Sequence, residues 1–230
     1  RIVASGADLV FVSAPLRAAF QALVGAAVPG RVQPMGVDVR DVTGADRETA
    51  RQRLGLRGPA LLFLGRLIAT KGGDLAVAVA RALPGITLLV AGTGPEVDRL
   101  ARVAADLGDR VRLLGWADAL LRRDLLAAAD VLLVPSRLRP DGLGEGLPVA
   151  ALEAIAVGLP VVATRCGGLV DLPRYGTHVT VSDPQPTALV AAVTAAIARG
   201  RPREADRSCQ AAALDWAAVL PRLLGDRGPG

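Results

Sequence analysis

Apolar residues follow two rhythms along this chain. Short unbroken runs stand at Ala60–Leu64, Ile86–Ala91, Val111–Leu114, Val131–Val134, Val161–Ala163 and Val179–Val181. Such runs, bounded by turn residues, predict buried strands. Between them, Gly73–Leu83, Glu96–Leu107, Leu120–Ala128 and Val149–Val157 carry apolar residues at helical spacing. Strand alternating with helix predicts right-handed crossovers and a doubly wound, Rossmann-like parallel sheet in an α/β fold. Upstream, Asp8–Ser13 predicts a strand, Pro15–Val24 a helix opened by Ser13 or Pro15, and Arg31–Met35 another strand. Residues 36–57 read as a polar connection rich in charge and turn formers. From Thr187 the chain is helical again, interrupted near Gly200 to Pro202, with a loose end over 226–230.

Composition narrows the class. Apolar residues make up 51% of the 230 and aromatics only 3%, so the core is mainly Ala, Val and Leu. The mean hydropathy of +0.40 is high, yet no run reaches membrane-spanning length, because Asp130 interrupts the longest candidate, Leu125–Pro135. That combination suits a sheet covered by helices on both faces. The net charge of +5 raises the question of nucleic acid, but the arginines are scattered and do not alternate with stacking aromatics, so no nucleic-acid partner is expected. Weak attraction to an anionic membrane surface fits the same charge. Cys166 and Cys209 lack metal or disulfide spacing and read as reduced thiols of a cytoplasmic protein.

Candidate chemistry lies where strands turn into helices. Of 27 basic residues only Lys71 is a lysine, and with Arg66 it flanks the turn after the run Ala60–Leu64. Free amides and the positive end of a helix dipole favour an anion there. A guanidinium fork and a compact ammonium together suit a diphosphate. The second segment runs from Glu145 through Gly146, Leu147 and Pro148 to Glu153. Pro148 fits a first helical turn, which places Glu145 just ahead of the helix and Glu153 inside it. Two carboxylates at the carboxyl ends of parallel strands can accept hydrogen bonds from vicinal hydroxyls, one set on a sugar and one on a ribose.

Taken in order, Gly65-Arg66, Lys71-Gly72, Val90 to Glu96, Val111 to Gly115, Ala129 to Ser136, Glu145 with Glu153, Gly158 to Thr164 and Gly167-Gly168 resemble the donor half of the family-four retaining glycosyltransferases. Met35 to Asp38 resembles that family's interdomain junction, and Asp215-Trp216 its closing helix. The resemblance implies the C-terminal half of a GT-B architecture. Residues 1–38 would be a remnant of the acceptor domain with its junction, 39–200 the nucleotide-sugar domain, and 201–230 a C-terminal helix and tail. It implies hexosyl transfer with retention, from a nucleotide-diphosphate sugar to a sugar, lipid or small-molecule acceptor, as in polysaccharide biosynthesis. Carried over by position, Arg66, Lys71 and Glu145 form the catalytic group. Arg66 and Lys71 would hold the diphosphate, Glu145 the transferred sugar and Glu153 the ribose. Gly65, Gly94, Gly146 and the amides of Leu147 and Val149 would line the donor, and Trp116 with Ala117 would border the base. No Asp-x-Asp motif occurs, so no metal or other cofactor is expected.

Pro148 stands where many relatives carry glycine, a form closer to the exopolysaccharide-type branch. The family's acceptor-domain histidine has no counterpart, and His178 reads as structural or surface. The chain is therefore expected to be a fragment with little activity alone, peripheral at an inner membrane surface if membrane-bound. A non-catalytic nucleotide-binding module and a GT-B epimerase are the alternatives. Gly92 to Val97 only partly echoes a dinucleotide fingerprint, which disfavours a dehydrogenase.

Overall fold

The computed structural model describes residues 9–140, 142 and 144–224. The chain opens with β1 (Val10–Phe11), α1 (Ala14–Val24) and β2 (Arg31–Val32), and the two strands pair in parallel by themselves. Both are shorter than their apolar runs predict, since only two residues of each find a ladder partner. The Ser13 side chain caps α1 by accepting from the Leu16 amide, and Gly25 closes it in a left-handed conformation.

The predicted polar connection instead holds two helices, α2 (Val39–Val42) and α3 (Arg47–Arg53). Asp46 caps α3 through the Thr49 amide, and only Val42 and Ala50 of the pair are buried. Helices with so little apolar surface leave almost no periodic signal.

From β3 (Ala60–Leu64) the predicted alternation holds: α4 (Gly73–Ala82), β4 (Thr87–Ala91), α5 (Val97–Ala104), β5 (Val111–Gly115), α6 (Ala119–Ala128), β6 (Val131–Val134), α7 (Val149–Ala156), β7 (Val161–Thr164), β8 (Val179–Ser182) and α8 (Pro186–Arg199). Three 3-10 segments among the described residues were not anticipated: Ala69–Lys71 within the turn after β3, Ala105–Arg110, which continues the α5 pattern, and Gly167–Arg174 after β7. The helical tail breaks after α8, as predicted, and once more between α9 (Glu204–Leu214) and α10 (Trp216–Leu224). The predicted loose end at 226–230 lies outside the described residues.

Six parallel strands run in the order β5-β4-β3-β6-β7-β8. Alternate side chains feed two cores. Leu61, Phe63, Leu88 and Val90 pack on the face covered by α4, α5 and α8. Ala60, Leu62, Leu89 and Leu132 pack on the face covered by α6 and α7. Burial on both faces explains why the strands read as unbroken apolar runs. The first segment returns to the last: the Val37 amide donates to the Leu214 carbonyl at 2.9 Å, and the Trp216 amide donates to the Val37 carbonyl at 3.2 Å.

Candidate functional site

β3 and β6 are neighbours, but the chain leaves them towards opposite edges of the sheet. Their carboxyl ends therefore open a crevice, the place where doubly wound sheets take ligands. Two segments enter it, 65–72 after β3 and, after β6, the residues 135–137 with 144–148. They are joined where the Arg137 amide donates to the Thr70 carbonyl at 2.8 Å. The Arg137 guanidinium also holds Asp74, near the start of α4, by two bonds of 2.6 and 3.1 Å. Burial works against the Asp74 carboxylate, but the Arg137 and Arg99 guanidiniums outweigh it and hold its pKa below the usual value.

Lys71 and Glu145 meet in this crevice, with Nζ 2.7 Å from Oε2 and both side chains largely buried. The Ser136 hydroxyl donates to the same Oε2 at 3.0 Å. An ammonium has three donors, so two remain for another anion. Behind the carboxylate, the Gly168 amide donates to the Glu145 carbonyl at 2.7 Å. Gly167 (φ 53°) is required here, because a Cβ would sit 2.4 Å from that carbonyl oxygen. The buried Cys166 thiol lies beside Glu145, and burial pushes its pKa up.

Beside this pair is a cleft of about 260 Å³ lined by Gly65, Arg66, Trp116, Ala117, Val149 and Glu153, with Gly92 and Arg122 among the other walls. Asp118 caps α6 through the Leu121 amide, and one turn on, Arg122 reaches Glu153 on α7 at 3.2 Å. Burial raises the Glu153 pKa, and Arg122 opposes the rise without cancelling it. Gly92 keeps the walls close: its Cβ would lie 1.9 Å from the Gly65 carbonyl oxygen. Arg66 is exposed and makes no ion pair among the described residues. Trp116 is 76% exposed, a broad ring left in water at the rim.

The sequence-derived residues thus fall into two adjoining groups: Lys71 with Glu145, and Arg66, Gly65, Trp116, Ala117, Val149 and Glu153 around the cleft. Gly94 packs on the Leu67 backbone and is not among the cleft-lining residues, and Gly146 packs against Gly168. The Leu147 side chain is buried in the core, so only its main chain could serve a ligand. Sequence reasoning missed Ser136 and Arg122. Ser136 lies within a motif already singled out, whereas Arg122 carries no signal beyond its helical position. His178 is not among the cleft-lining residues; it contacts Thr177 Oγ1 at 3.0 Å, and burial lowers its pKa. Among the described residues no group of three His, Cys, Asp or Glu side chains is placed to hold a metal, and no helix is long and apolar enough to cross a membrane.

Residues 58–199 match the family described as glycosyl transferases group 1. The GDP-mannose-dependent alpha-(1-6)-phosphatidylinositol monomannoside mannosyltransferase of Mycobacterium tuberculosis is 32% identical over 228 residues, covering 94% of this chain and 58% of that protein. The D-inositol 3-phosphate glycosyltransferase of Geodermatophilus obscurus is 36% identical over 211 residues, covering 84% and 46%. The chain spans about half the length of the curated relatives it matches. Among solved structures, sucrose-phosphate synthase from Thermosynechococcus elongatus superposes with a TM-score of 0.77 at 26% identity, covering 93% of this chain and 56% of that one. Anabaena Alr3699/HepE in complex with UDP and glucose gives 0.78 at 24% identity, covering 94% and 62%, a likeness of fold.

Proposed function

This chain belongs to the group 1 glycosyl transferases, and from that premise we propose that it supplies the donor side of a retaining sugar transfer from a nucleotide-diphosphate sugar. Its fold is that of the C-terminal half of a GT-B architecture. The observation that carries the proposal is the Lys71–Glu145 pair at the switch point of the sheet, next to a cleft walled by Glu153. In this reading the free donors of Lys71 and the exposed Arg66 hold the diphosphate. Negative charge grows on that group as the glycosidic bond breaks, and fixed cations stabilise it without reorganising. First-turn amides of α7, from Val149, and the Leu147 main chain add dipoles of the same sign. The chain's own cations do this work, with no metal in the step.

Glu145 accepts from hydroxyls of the transferred sugar and Glu153 from the ribose, with Arg122 keeping Glu153 available as an acceptor. Trp116 and Ala117 border the base. The acceptor is a sugar, lipid or small molecule that approaches from outside these residues, so the 230-residue chain by itself binds donor but transfers little. Peripheral attachment at the inner membrane surface fits the basic charge. GDP-mannose and UDP-glucose, named for relatives and for a structural neighbour, are the first donors to try. A thermal-shift panel of GDP-, UDP- and ADP-sugars reads binding as a raised Tm, because a ligand of the folded state stabilises it. No shift with any of them, at concentrations that saturate related enzymes, would sink the proposal.

A further inference from the structure

We infer that Ser136 is a positioning residue for the donor sugar: together with Lys71 it holds one oxygen of Glu145 and leaves the other for the substrate. The inference rests on the donor-site reading above and deepens it. Both contacts of the Glu145 side chain go to Oε2, from Lys71 Nζ at 2.7 Å and from Ser136 Oγ at 3.0 Å. Oε1 has no partner among the described residues. An ion pair from one loop and a hydrogen bond from another on the same oxygen hold the carboxylate from two elements; either contact alone would hold it from one. A charge-assisted bond of this kind is also the stronger sort of hydrogen bond.

Ser136 is built in rather than left at a surface. It is 1% exposed, and its carbonyl accepts from the hydroxyl of Thr164, which is itself fully buried at the end of β7. Buried serine hydroxyls mostly bond to main chain or water, whereas this one bonds to the carboxylate of the crevice. Glu145 is thereby tied at its carboxylate to the loop after β3 through Lys71 and to the end of β6 through Ser136. Its carbonyl is tied to the turn after β7 through Gly168. Without the hydroxyl, the carboxylate would follow Lys71 alone, and a diphosphate that draws the ammonium would draw Glu145 with it. The sugar contact would then fail while the diphosphate contact survived.

Calorimetry on the full chain tests this with UDP against UDP-glucose and GDP against GDP-mannose, for wild type, Ser136→Ala, Glu145→Gln and the double variant. We expect Ser136→Ala to lower the ratio of nucleotide-sugar to nucleoside-diphosphate affinity about tenfold, with diphosphate affinity changed less than twofold. Added to Glu145→Gln, it should lower the ratio no further. Should the alanine variant fail to fold, Ser136→Cys retains a side chain but only a weak donor and should shift the ratio in the same direction. Equal losses on both ligands, or the same fall in the Glu145→Gln background, would make Ser136 merely structural and overturn the inference. A ratio unmoved by Glu145→Gln, or no binding to the wild-type chain, would instead overturn the donor-site reading and this inference with it.

Discussion

The two ends of the parallel sheet treat their cations in opposite ways. At the amino ends of β3 and β6, Arg47, Arg51 and Arg201 converge on Asp130 and on main-chain carbonyls. Arg201 donates to the carbonyls of Leu126, Ala127 and Ala129 at the end of α6, and to Val157 at the end of α7. Arg47 shares two of these carbonyls and, with Arg51, pairs with Asp130. Helix carboxyl ends offer unpaired carbonyls and negative dipole, so a buried cation there is structural. Burial still pushes the Arg201 pKa down to about 10. At the carboxyl ends Arg137 is filled by Asp74, but Lys71 meets one carboxylate and Arg66 meets none among the described residues. A cation acts on a ligand when the fold leaves its donors open, and is a fastener when carbonyls fill them.

Removing a fastener should give the largest effect. Arg201→Ala takes the guanidinium donor from the Leu126 and Val157 carbonyls, leaves those of Ala127 and Ala129 to Arg47 alone, and should destabilise the chain by about 3 kcal/mol, measured by urea unfolding, with nucleotide affinity of the folded fraction unchanged. A loss of nucleotide binding at full stability would erase the distinction. Next comes Lys71→Ala, which should weaken nucleoside-diphosphate binding by roughly 1.5–3 kcal/mol in calorimetry while leaving the urea midpoint nearly in place. Arg66→Ala, at an exposed position, should cost about 1 kcal/mol of binding and no measurable stability. An unfolding midpoint that dropped for Arg66→Ala would mean that this cation is also structural.

The smallest effect concerns Glu153. Its folded pKa is raised, chiefly by burial, so the native state holds this proton more tightly than the unfolded chain does. Stability contributed by that proton is complete below the unfolded carboxylate pKa and is lost as pH rises through the folded value. Glu153→Gln removes the dependence. The Tm difference, variant minus wild type, should therefore become more positive from pH 4 to pH 7. A difference that does not change with pH would show that Arg122 compensates the burial in full.

The central strands were legible because double-sided burial writes itself as local apolar runs, and Asp130 was legible as their interruption. The helices α2 and α3 were not, since a charged helix with one or two buried residues has no periodic stripe. Nor was the 3-10 segment Gly167–Arg174, whose two glycines and proline read as punctuation.

For the site the division is sharper. The sequence by itself determined the βα turn that carries Arg66 and Lys71, and the placing of Glu145 and Glu153 around the start of α7, because turns and helix starts are set by neighbouring residues. Only the tertiary structure decided that Lys71 would meet Glu145, that Ser136 would share the same carboxylate oxygen, and that Arg122 would answer Glu153 from another helix. It also decided which of the 26 arginines would close on carbonyls and which would stay open. Those partners lie far along the chain or depend on which donors a loop leaves unfilled. Charge alone, identical from one arginine to the next, carries no record of what it will face after folding.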